Sequence, residues 1–421
     1  MTDPQARFAD APDDPDTPGG YRPLFRFQGV PQVLASSVLA RLSLGTTTVL
    51  IVLLFHGTTG SFALAGLAVA ANSIGFAVVS PLFGKLADRG YTAHILVVVG
   101  ILQPISTTAF VISVSLGWSG LVSVALAALS GVTYPPVGAI TRAGWERMLP
   151  RHLHKVAYGT DALLTEMLYI LGPMLAALAL IVSGPALGLI VGAICVAVGS
   201  VLLALTPDIR RLRRIPSRAP TQAASMWSVG SAAVIALSTG MGVAFGMLEV
   251  GIPAFASGFP NGDVLGAVLL AVWSIASVVG GVVYLKLPIR ASLQTQLLVL
   301  VAGNAIGFAL LGVAATPIML GLLLLLGGLL MAPAATAELS VLSLVATPGR
   351  TTETFTWLGT GAYVGGAAGA ALAGVLIEPI GVRMTLSLSA VFALTAVAAA
   401  AVATAARTPA TVVNTEKGCR T

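Results

Sequence analysis

The sequence contains very little charge. Only 9% of its 421 residues are Asp, Glu, Lys or Arg, and 56% are hydrophobic, whereas an ordinary soluble protein carries about 25% charged residues. This composition argues against a water-soluble fold. The apolar runs are long and continuous, which argues against a β-barrel, because barrel strands alternate apolar and polar residues over about ten positions. The composition predicts an all-α polytopic membrane protein, whose helices satisfy their own backbone hydrogen bonds.

Cysteine and metal-binding patterns are equally scarce. Cys195 lies inside an apolar run and Cys419 lies in the C-terminal tail, so the two form no disulfide framework. The four histidines have no cysteine or carboxylate at metal-ligand spacing. We therefore expect no metal, no cofactor and no catalytic constellation, which argues against an enzyme. Residues 1–20 are acidic and polar and contain no signal-peptide pattern.

Long apolar segments recur along the whole chain. About 20 residues are needed to cross roughly 30 Å of hydrocarbon, and twelve segments reach that length. The predicted spans are 32–56, 62–83, 94–116, 120–141, 157–182, 185–205, 227–256, 264–285, 294–315, 318–345, 355–377 and 382–404.

The basic residues fall almost entirely on one side of these spans. All but two of the 22 lie in the tails or in alternate connectors, and the exceptions are Arg41, inside the first span, and Arg383. Basic connectors stay in the cytoplasm, so both termini are predicted to be cytoplasmic. We interpret the run Arg210–Arg214 as part of this topology signal rather than as a nucleic-acid patch. The basic face, as we call this side, carries connectors 84–93, 142–156, 206–226, 286–293 and 346–354.

The longest internal polar segment divides the chain into two halves. Residues 206–225 form this predicted cytoplasmic linker, with six spans before it in 31–205 and six after it in 226–404. Residues 1–30 are predicted to be a disordered or interfacial N-terminal tail, because Asp, Pro and Gly dominate them. Residues 405–421 are predicted to be a cytoplasmic C-terminal tail.

The connector between the second and third spans carries the most specific motif. Gly84 is expected to let the chain approach a neighbouring helix, and Gly90 to adopt a backbone conformation that other residues resist. Residues 83–91 resemble the loop between helices two and three of the major facilitator superfamily, whose pattern is roughly G-x-L-A-D-R-x-G-R. The later glycine comes one residue early, and Thr92 stands where a basic residue is usual. The matching residues are Gly84, Leu86, Ala87, Asp88 and Arg89.

This resemblance implies both a fold and a function. The superfamily has twelve transmembrane helices in two pseudo-symmetric six-helix halves around a midplane cavity, and it works by alternating access. The expected partners are a small-molecule substrate and the lipid bilayer, with no nucleic acid and no obligate protein partner. The expected location is the cell membrane, which the chain would cross many times.

The fifth span resembles a narrower group. Its Gly172-Pro173 pair is similar to the helix-five motif of proton-coupled drug antiporters, although Ala176 and Ala177 stand where glycines are usual. The pair is expected to bend the helix, and an ordinary kink is the alternative reading. The fourth span has Ala127 where many exporters have an arginine. The resemblance favours an exporter driven by a proton gradient.

Ionisable side chains inside the spans are candidates for the transport pathway, because each costs about 2.5–3.5 kcal/mol at midspan. Arg41 and Glu166 both lie about ten residues into spans that start on the basic face, and are therefore near 15 Å deep at roughly 1.5 Å per residue. We predict that Arg41 pairs with Glu166, or less favourably with Asp161. Such a pair is either a static packing contact or a site where substrate or a proton displaces the arginine.

Two further groups of candidates lie at other depths. Near the basic face, Glu338 and Glu353 flank Arg350, and a pair across that connector would act as a gate latch. At intermediate depth, the scarcity of hydrogen-bonding groups predicts a largely apolar cavity, which favours an amphipathic or hydrophobic substrate over a sugar. The side chains expected to border it are Asn72, Gln103, Tyr134, Tyr169, Trp273, Asn304, Trp357 and Tyr363.

The function expected from these features is proton-coupled efflux of small amphipathic or hydrophobic organic compounds. The alternative is an importer or uniporter of a sugar, organic acid or other metabolite, in which Arg41 would hold an anionic group. A sensor or scaffold with a transporter fold is the second alternative.

Overall fold

The computed structural model describes residues 24–27, 29–59, 62–182, 184–207, 209, 227–260, 262–347 and 349–405. The predicted tails and linker therefore fall mostly outside the described residues. All regular secondary structure in the described part is helical. After a 3-10 turn at Leu24–Arg26, the helices are α1 (Val30–Arg41), α2 (Thr47–Thr59), α3 (Phe62–Leu86), α4 (Thr92–Ser115), α5 (Gly120–Val132), α6 (Val137–Met148), α7 (Arg151–Val182), α8 (Gly184–Leu205), α9 (Val229–Ala256), α10 (Gly262–Lys286), α11 (Leu293–Leu311), α12 (Pro317–Gly328), α13 (Met331–Val345), α14 (Thr351–Ile380) and α15 (Val382–Ala405).

Three of the predicted spans are each built from two helices. The first is broken between α1 and α2, the fourth between α5 and α6, and the tenth between α12 and α13. At the break in the fourth span, Pro135 and Pro136 remove two backbone donors, so α5 cannot continue through them. The uncharged connectors before Pro185 and Pro317 do separate helices, as the sequence predicts.

Nine segments of the described chain are long and apolar enough to cross a membrane. One of them, Leu64–Ser115, is 52 residues long and joins α3 to α4 through a five-residue π-helical turn at Ala87–Tyr91. Gly90 in this turn has a φ of 94°, which glycine adopts without steric cost. The chain reverses its direction at this turn, so Leu64–Ser115 comprises two membrane-length helices rather than one long span.

Contacts with α5 establish that reversal. Hydroxyl pairs at Ser106–Thr133 and Thr107–Ser130, 2.6 and 2.8 Å long, run in opposite order along α4 and α5, which are therefore antiparallel. By contrast, α3 and α5 are parallel, because Gly120 at the start of α5 lies near Leu64 at the start of α3, whereas Gly75, further along α3, lies near Ala128 and Val132 toward the end of α5.

The second half repeats this arrangement. Helix α10 packs closely against the α12–α13 segment through Gly280 near Leu329 and Gly328 near Trp273. Helix α11 contacts the same segment through Gly303 near Leu330 and runs antiparallel to it, because Gly307 lies near Gly327. The recurrence of two helices around a broken third places equivalent elements at equivalent positions in both halves.

The outer surface and the interior differ as a membrane requires. Large apolar side chains such as Leu121, Ile181 and Ile318 are at least 78% exposed, which suits contact with lipid. Many hydroxyl groups lie inside, where backbone carbonyls of the same helix accept their hydrogen bonds, as Thr336 and Ser340 show. Small residues hold the helices close: Gly246 of α9 lies against the carbonyl of Gly366 in α14, so no side chain fits between these two backbones.

We predict that Gly246→Ala destabilises the protein by about 1–3 kcal/mol, the usual cost of overpacking, and that thermal unfolding in detergent measures the fall. The matched control is Gly359→Ala in α14, where an added Cβ meets nothing within 4 Å. That change should leave the unfolding temperature the same or slightly higher, because alanine favours a helix more than glycine does. Equal losses in the two variants would contradict this account of the α9–α14 packing.

Candidate functional site

A carboxylate of the first half caps a helix of the second half at the basic face. Asp88 accepts hydrogen bonds from the backbone N–H groups of Thr352 and Glu353, at 3.0 and 2.8 Å. These groups belong to the first turn of α14, where N–H groups lack partners within the helix and a negative charge is favoured. Gly84 makes the approach possible, because a Cβ there would lie 2.9 Å from the Glu353 Cα.

One more hydrogen bond joins the halves near this cap, and a second one, within the first half, holds the carboxylate that accepts the first. The Thr351 hydroxyl donates to Glu146 Oε2 at 3.3 Å, and the Tyr158 hydroxyl donates to Oε1 of the same carboxylate at 3.3 Å. Deeper in the protein, the Thr360 hydroxyl donates to the Ala77 carbonyl at 3.1 Å. The start of α14 is therefore held by both α3 and α6.

Another contact between the halves lies at the start of α7. Lys155 Nζ donates to Gln296 Oε1 at 3.1 Å and lies 4.2 Å from the centre of the Tyr284 ring. Lys155 precedes the predicted span 157–182, and burial lowers its pKa. The amide oxygen and the ring face compensate part of that desolvation by interacting with the cation.

Arg41, Asp161 and Arg142 form a buried ionic cluster within the first half. Arg41 Nη2 lies 2.8 Å from Asp161 Oδ1, an ion pair without hydrogen-bond alignment. Arg142 Nε donates to Asp161 Oδ2 at 2.7 Å. Asp161 has no exposed surface and Arg41 is only 3% exposed. Arg41 also donates to the Ser37 carbonyl and the Thr165 hydroxyl, each at 3.2 Å.

The favoured partner predicted for Arg41 was wrong. The prediction compared the depths of Cα atoms, which are similar for Arg41 and Glu166. Side chains on a helix point back toward its N-terminus, and the bond from Arg41 to the Ser37 carbonyl shows this direction. The guanidinium therefore lies nearer the basic face than its own Cα and meets Asp161.

Glu166 and Glu338 face the other half. The Glu166 carboxyl lies beside Ser277 of α10, whose oxygen accepts the Ala332 N–H and whose hydroxyl proton is thus available to the carboxylate. Glu338 of α13 lies within electrostatic range of Arg142, and its Oε1 has no hydrogen-bond partner among the described residues.

The predicted latch takes a different form in the structure. Arg350 Nη1 donates to Glu353 Oε2 at 3.2 Å, a contact between the residue that precedes α14 and its first turn. This pair does not cross the 346–354 connector, because both members belong to the same end of α14. Arg89, on the facing loop, is exposed.

Two tyrosines meet between the halves at mid-depth. The hydroxyl oxygens of Tyr169 in α7 and Tyr363 in α14 are 3.4 Å apart. Phe76 packs edge-on against both Tyr363 and Tyr134, with ring centres 5.5 Å apart in each case. The Tyr134 hydroxyl donates to the Ala40 carbonyl at 3.2 Å. These aromatic rings border a space between the halves, since Tyr169 and Tyr363 are 45% and 37% exposed.

The remaining predicted cavity residues pack elsewhere. Trp273 is 4% exposed between Phe245 and Phe308, inside the second half. Asn304 has no exposed surface and donates to the Leu300 and Leu330 carbonyls at 3.0 and 3.3 Å. It thereby satisfies a carbonyl at the break between α12 and α13.

Three further predicted residues also have assignable positions. Trp357 packs against Trp227 in a tilted arrangement, with ring centres 5.3 Å apart. Asn72 donates to the Ala127 carbonyl at 3.1 Å. Gly172 touches the backbone of Gly45, so α7 packs directly against the break between α1 and α2; the side chain of Pro173 lies outside the described residues.

Sequence reasoning missed Arg142, Glu146 and Lys155 as site residues. All three lie near the ends of predicted spans, where charge is normal, and two of them are part of the basic-face count that signals topology. Only the fold shows that Arg142 turns inward to Asp161 and that Glu146 reaches α14. Glu146 is the lone acidic residue in an otherwise basic connector, and this was the one feature of the sequence that could have marked it as a site residue.

Comparisons with known proteins agree with this architecture. No protein-family model matches the sequence. A protein of Sinorhizobium fredii described as an uncharacterized MFS-type transporter, y4rN, is 28% identical over 407 residues, which cover 91% of this chain and 96% of that protein.

Solved transporters share the fold at low identity. A bacterial homologue of the iron transporter ferroportin, in an outward-facing state, matches with a TM-score of 0.72 and 15% identity over 89% of this chain and 98% of its own. The human organic anion transporter MFSD10 (TETRAN) gives 0.66 and 14%, over 88% and 98%. The Escherichia coli fucose:proton symporter FucP gives 0.65 and 13%, also over 88% and 98%.

The helical fold, with many apolar segments and a loop that caps a helix across the two halves, is that of a multi-pass membrane protein. Over most of its length the chain is similar to an MFS-type transporter, and it shares its fold with solved transporters.

We predict that Asp88→Asn weakens the cap on α14. Asparagine keeps one acceptor oxygen but loses the second one and the charge, so the Thr352 and Glu353 amides should exchange hydrogen about tenfold faster. Hydrogen exchange followed by mass spectrometry on the peptide that contains them measures this. Glu378→Gln, which removes an exposed carboxylate at the opposite end of α14, is the matched control and should leave that peptide unchanged.

We also predict that Asp161→Asn costs about 3–5 kcal/mol of stability, because it leaves two guanidinium groups in the interior without their carboxylate. Arg142→Gln should cost less, since the Arg41–Asp161 pair survives and the Arg142 side chain is already 18% exposed. Unfolding temperatures in detergent rank the two variants. If Arg142→Gln proved at least as damaging, Asp161 would not be the centre of the cluster.

Proposed function

We propose that this protein is a twelve-span secondary transporter that works by alternating access, with two six-helix halves and both termini in the cytoplasm. The distribution of basic residues supports this orientation, because all but two of the 22 lie in the tails or on the basic face. The superfamily fold supports the division into halves.

One observation carries the mechanism. Within the described residues, the hydrogen bonds that join the halves lie between the basic face, at Asp88 and Lys155, and the level of Tyr169 and Tyr363. Beyond that level, toward the opposite face, Glu249 is exposed. Such an arrangement corresponds to a state sealed toward the cytoplasm and accessible from outside, which is one of the two states that alternating access requires.

We further propose that the transport is proton-coupled efflux of small amphipathic or hydrophobic compounds. Glu166 supports the coupling, because it lies at the contact between the halves beside the neutral Ser277 and forms no ion pair in the described structure. A carboxyl in this position takes up a proton at lower cost than one held by an arginine. The aromatic border of Tyr134, Phe76 and Tyr363 supports an apolar substrate.

The importer alternative receives less support. It needs Arg41 to hold an anionic group, but Asp161, Thr165 and the Ser37 carbonyl already occupy this guanidinium. Releasing it would leave Asp161 with Arg142 alone and would expose a buried cation without its partner. Efflux of an amphipathic or hydrophobic compound does not require Arg41 to leave Asp161.

Everted membrane vesicles with an acidified interior test the proposal. We expect them to accumulate labelled amphipathic compounds, to lose that uptake when a protonophore is added, and to lose at least about tenfold of it in Glu166→Gln. Glu378→Gln, outside the pathway, should transport normally. Uptake that ignores the protonophore would refute proton coupling, and accumulation only in right-side-out vesicles would refute efflux.

A further inference from the structure

A small cavity lies inside the first half, at the break between α1 and α2. Its wall includes Ser43 in the break, Gln103 halfway along α4 and Ser130 near the end of α5. The space open to the centre of a water-sized sphere is about 10 Å³. One water molecule needs roughly this volume, so the cavity is too small for an organic compound.

Two polar atoms of this wall lack a hydrogen-bond partner. Ser43 Oγ and Gln103 Oε1 are buried, and no group in the described structure bonds to either of them. The residues that carry them are only 5% and 6% exposed. The hydroxyl of Tyr134, which lies near Ser43, donates to the Ala40 carbonyl instead. Since buried polar atoms without a partner are rare in folded proteins, these two atoms call for a group that the cavity can hold.

The neighbouring hydroxyl groups add further bonding capacity. The Thr47 hydroxyl donates to the Ser43 carbonyl at 2.8 Å, which leaves its oxygen able to accept a hydrogen bond. The hydroxyl oxygens of Thr107 and Ser130 are 2.8 Å apart, and their mutual bond uses only one of their two protons. Thr47 and Thr107 also line the cavity. The wall therefore offers both donors and acceptors, and they come from the break and from three different helices.

We propose that the cavity binds one water molecule, which donates a hydrogen bond to Gln103 Oε1 and accepts one from Ser43 Oγ. A buried water with about three polar partners is a lasting part of a protein structure. This water joins the break in the first span to α4, because it bridges two side chains that do not bond to each other directly. The broken span is thereby fixed to the rest of the first half, whatever the direction of transport.

A metal cation fits the cavity less well than water does. No Asp or Glu belongs to the wall, and burying a charge without an opposite one is costly. Arg41, two residues before Ser43, belongs to a cluster with two guanidinium groups and one carboxylate, which repels a further cation. A cation also cannot accept the hydroxyl proton of Ser43, whereas water can both donate and accept.

Radiolytic footprinting tests the proposal, because X-rays convert a bound water into hydroxyl radicals that oxidise the adjacent side chains. Phe110 lines the cavity and is 1% exposed, while Phe308 of the second half is 2% exposed and serves as the internal control. For the purified protein in lipid nanodiscs, we expect Phe110 to be oxidised at least about threefold faster than Phe308, since only Phe110 lies beside the water site. Mass spectrometry of the two peptides measures both rates.

The variant Gln103→Leu tests which group holds the water. Leucine has nearly the volume of glutamine but forms no hydrogen bond, so the oxidation of Phe110 should fall to the rate of Phe308. The unfolding temperature in detergent should fall by about 2–4 °C, because the variant removes one partner of a buried water. A dry cavity predicts the opposite sign, since leucine would then replace an unpartnered buried oxygen.

Three outcomes would overturn the water site. The first is equal oxidation of Phe110 and Phe308 in the wild type, a result that needs no variant to fold. The second is a rise in the unfolding temperature of Gln103→Leu. The third is a saturable rise in the wild-type unfolding temperature with sodium chloride but not with choline chloride at equal concentration, which would assign the cavity to a cation; we expect the two salts to act alike.

Discussion

A charged group in a membrane interior is stable only beside a partner, and this constraint orders the whole molecule. Asp161 has two guanidinium partners, Arg41 and Arg142, and so joins α7 to α1 and α6. Asp88 forms no ion pair within the described residues; the backbone N–H groups at the start of α14 bind its carboxylate directly. The first solution fixes helices within one half, and the second joins the two halves at the basic face.

The Asp161 cluster and the Asp88 cap differ in whether water can take the place of the partner groups. The cap on α14 lies at the membrane surface, where water can bind both Asp88 and the released N–H groups when the halves part. Asp161 is fully buried and Arg41 nearly so, and breaking their pair would leave both charges without water or partner. All three members of the cluster belong to the first half, so the rocking motion of the proposed alternating-access mechanism would leave it intact. On that mechanism, contacts between the halves break and re-form, whereas contacts within one half persist.

The sequence predicts the helices and the capping loop well, because both depend on local signals. Apolar length sets the spans, and Gly84 and Gly90 mark a close approach and a turn with positive φ. It predicts the ionic contacts poorly. Arg142 and Glu146 stand in connectors, where charge needs no explanation, and their inward direction depends on neighbouring helices. Trp273 and Asn304 were expected at the cavity, but an aromatic or amide within an apolar run satisfies a neighbouring core or helix break equally well.

The same constraint indicates which groups are free to take part in transport. A side chain whose charge is balanced within one half experiences the same surroundings in every state, so neither substrate nor a proton gains by binding there. Glu166 differs, since it lies beside Ser277 of the other half and forms no ion pair in the described structure. On the proposed alternating-access mechanism its environment changes when the halves move, so a proton bound there would favour one state. Only such a difference lets a ligand shift a conformational equilibrium, and the ionic cluster, by holding Arg41 away from Glu166, preserves it.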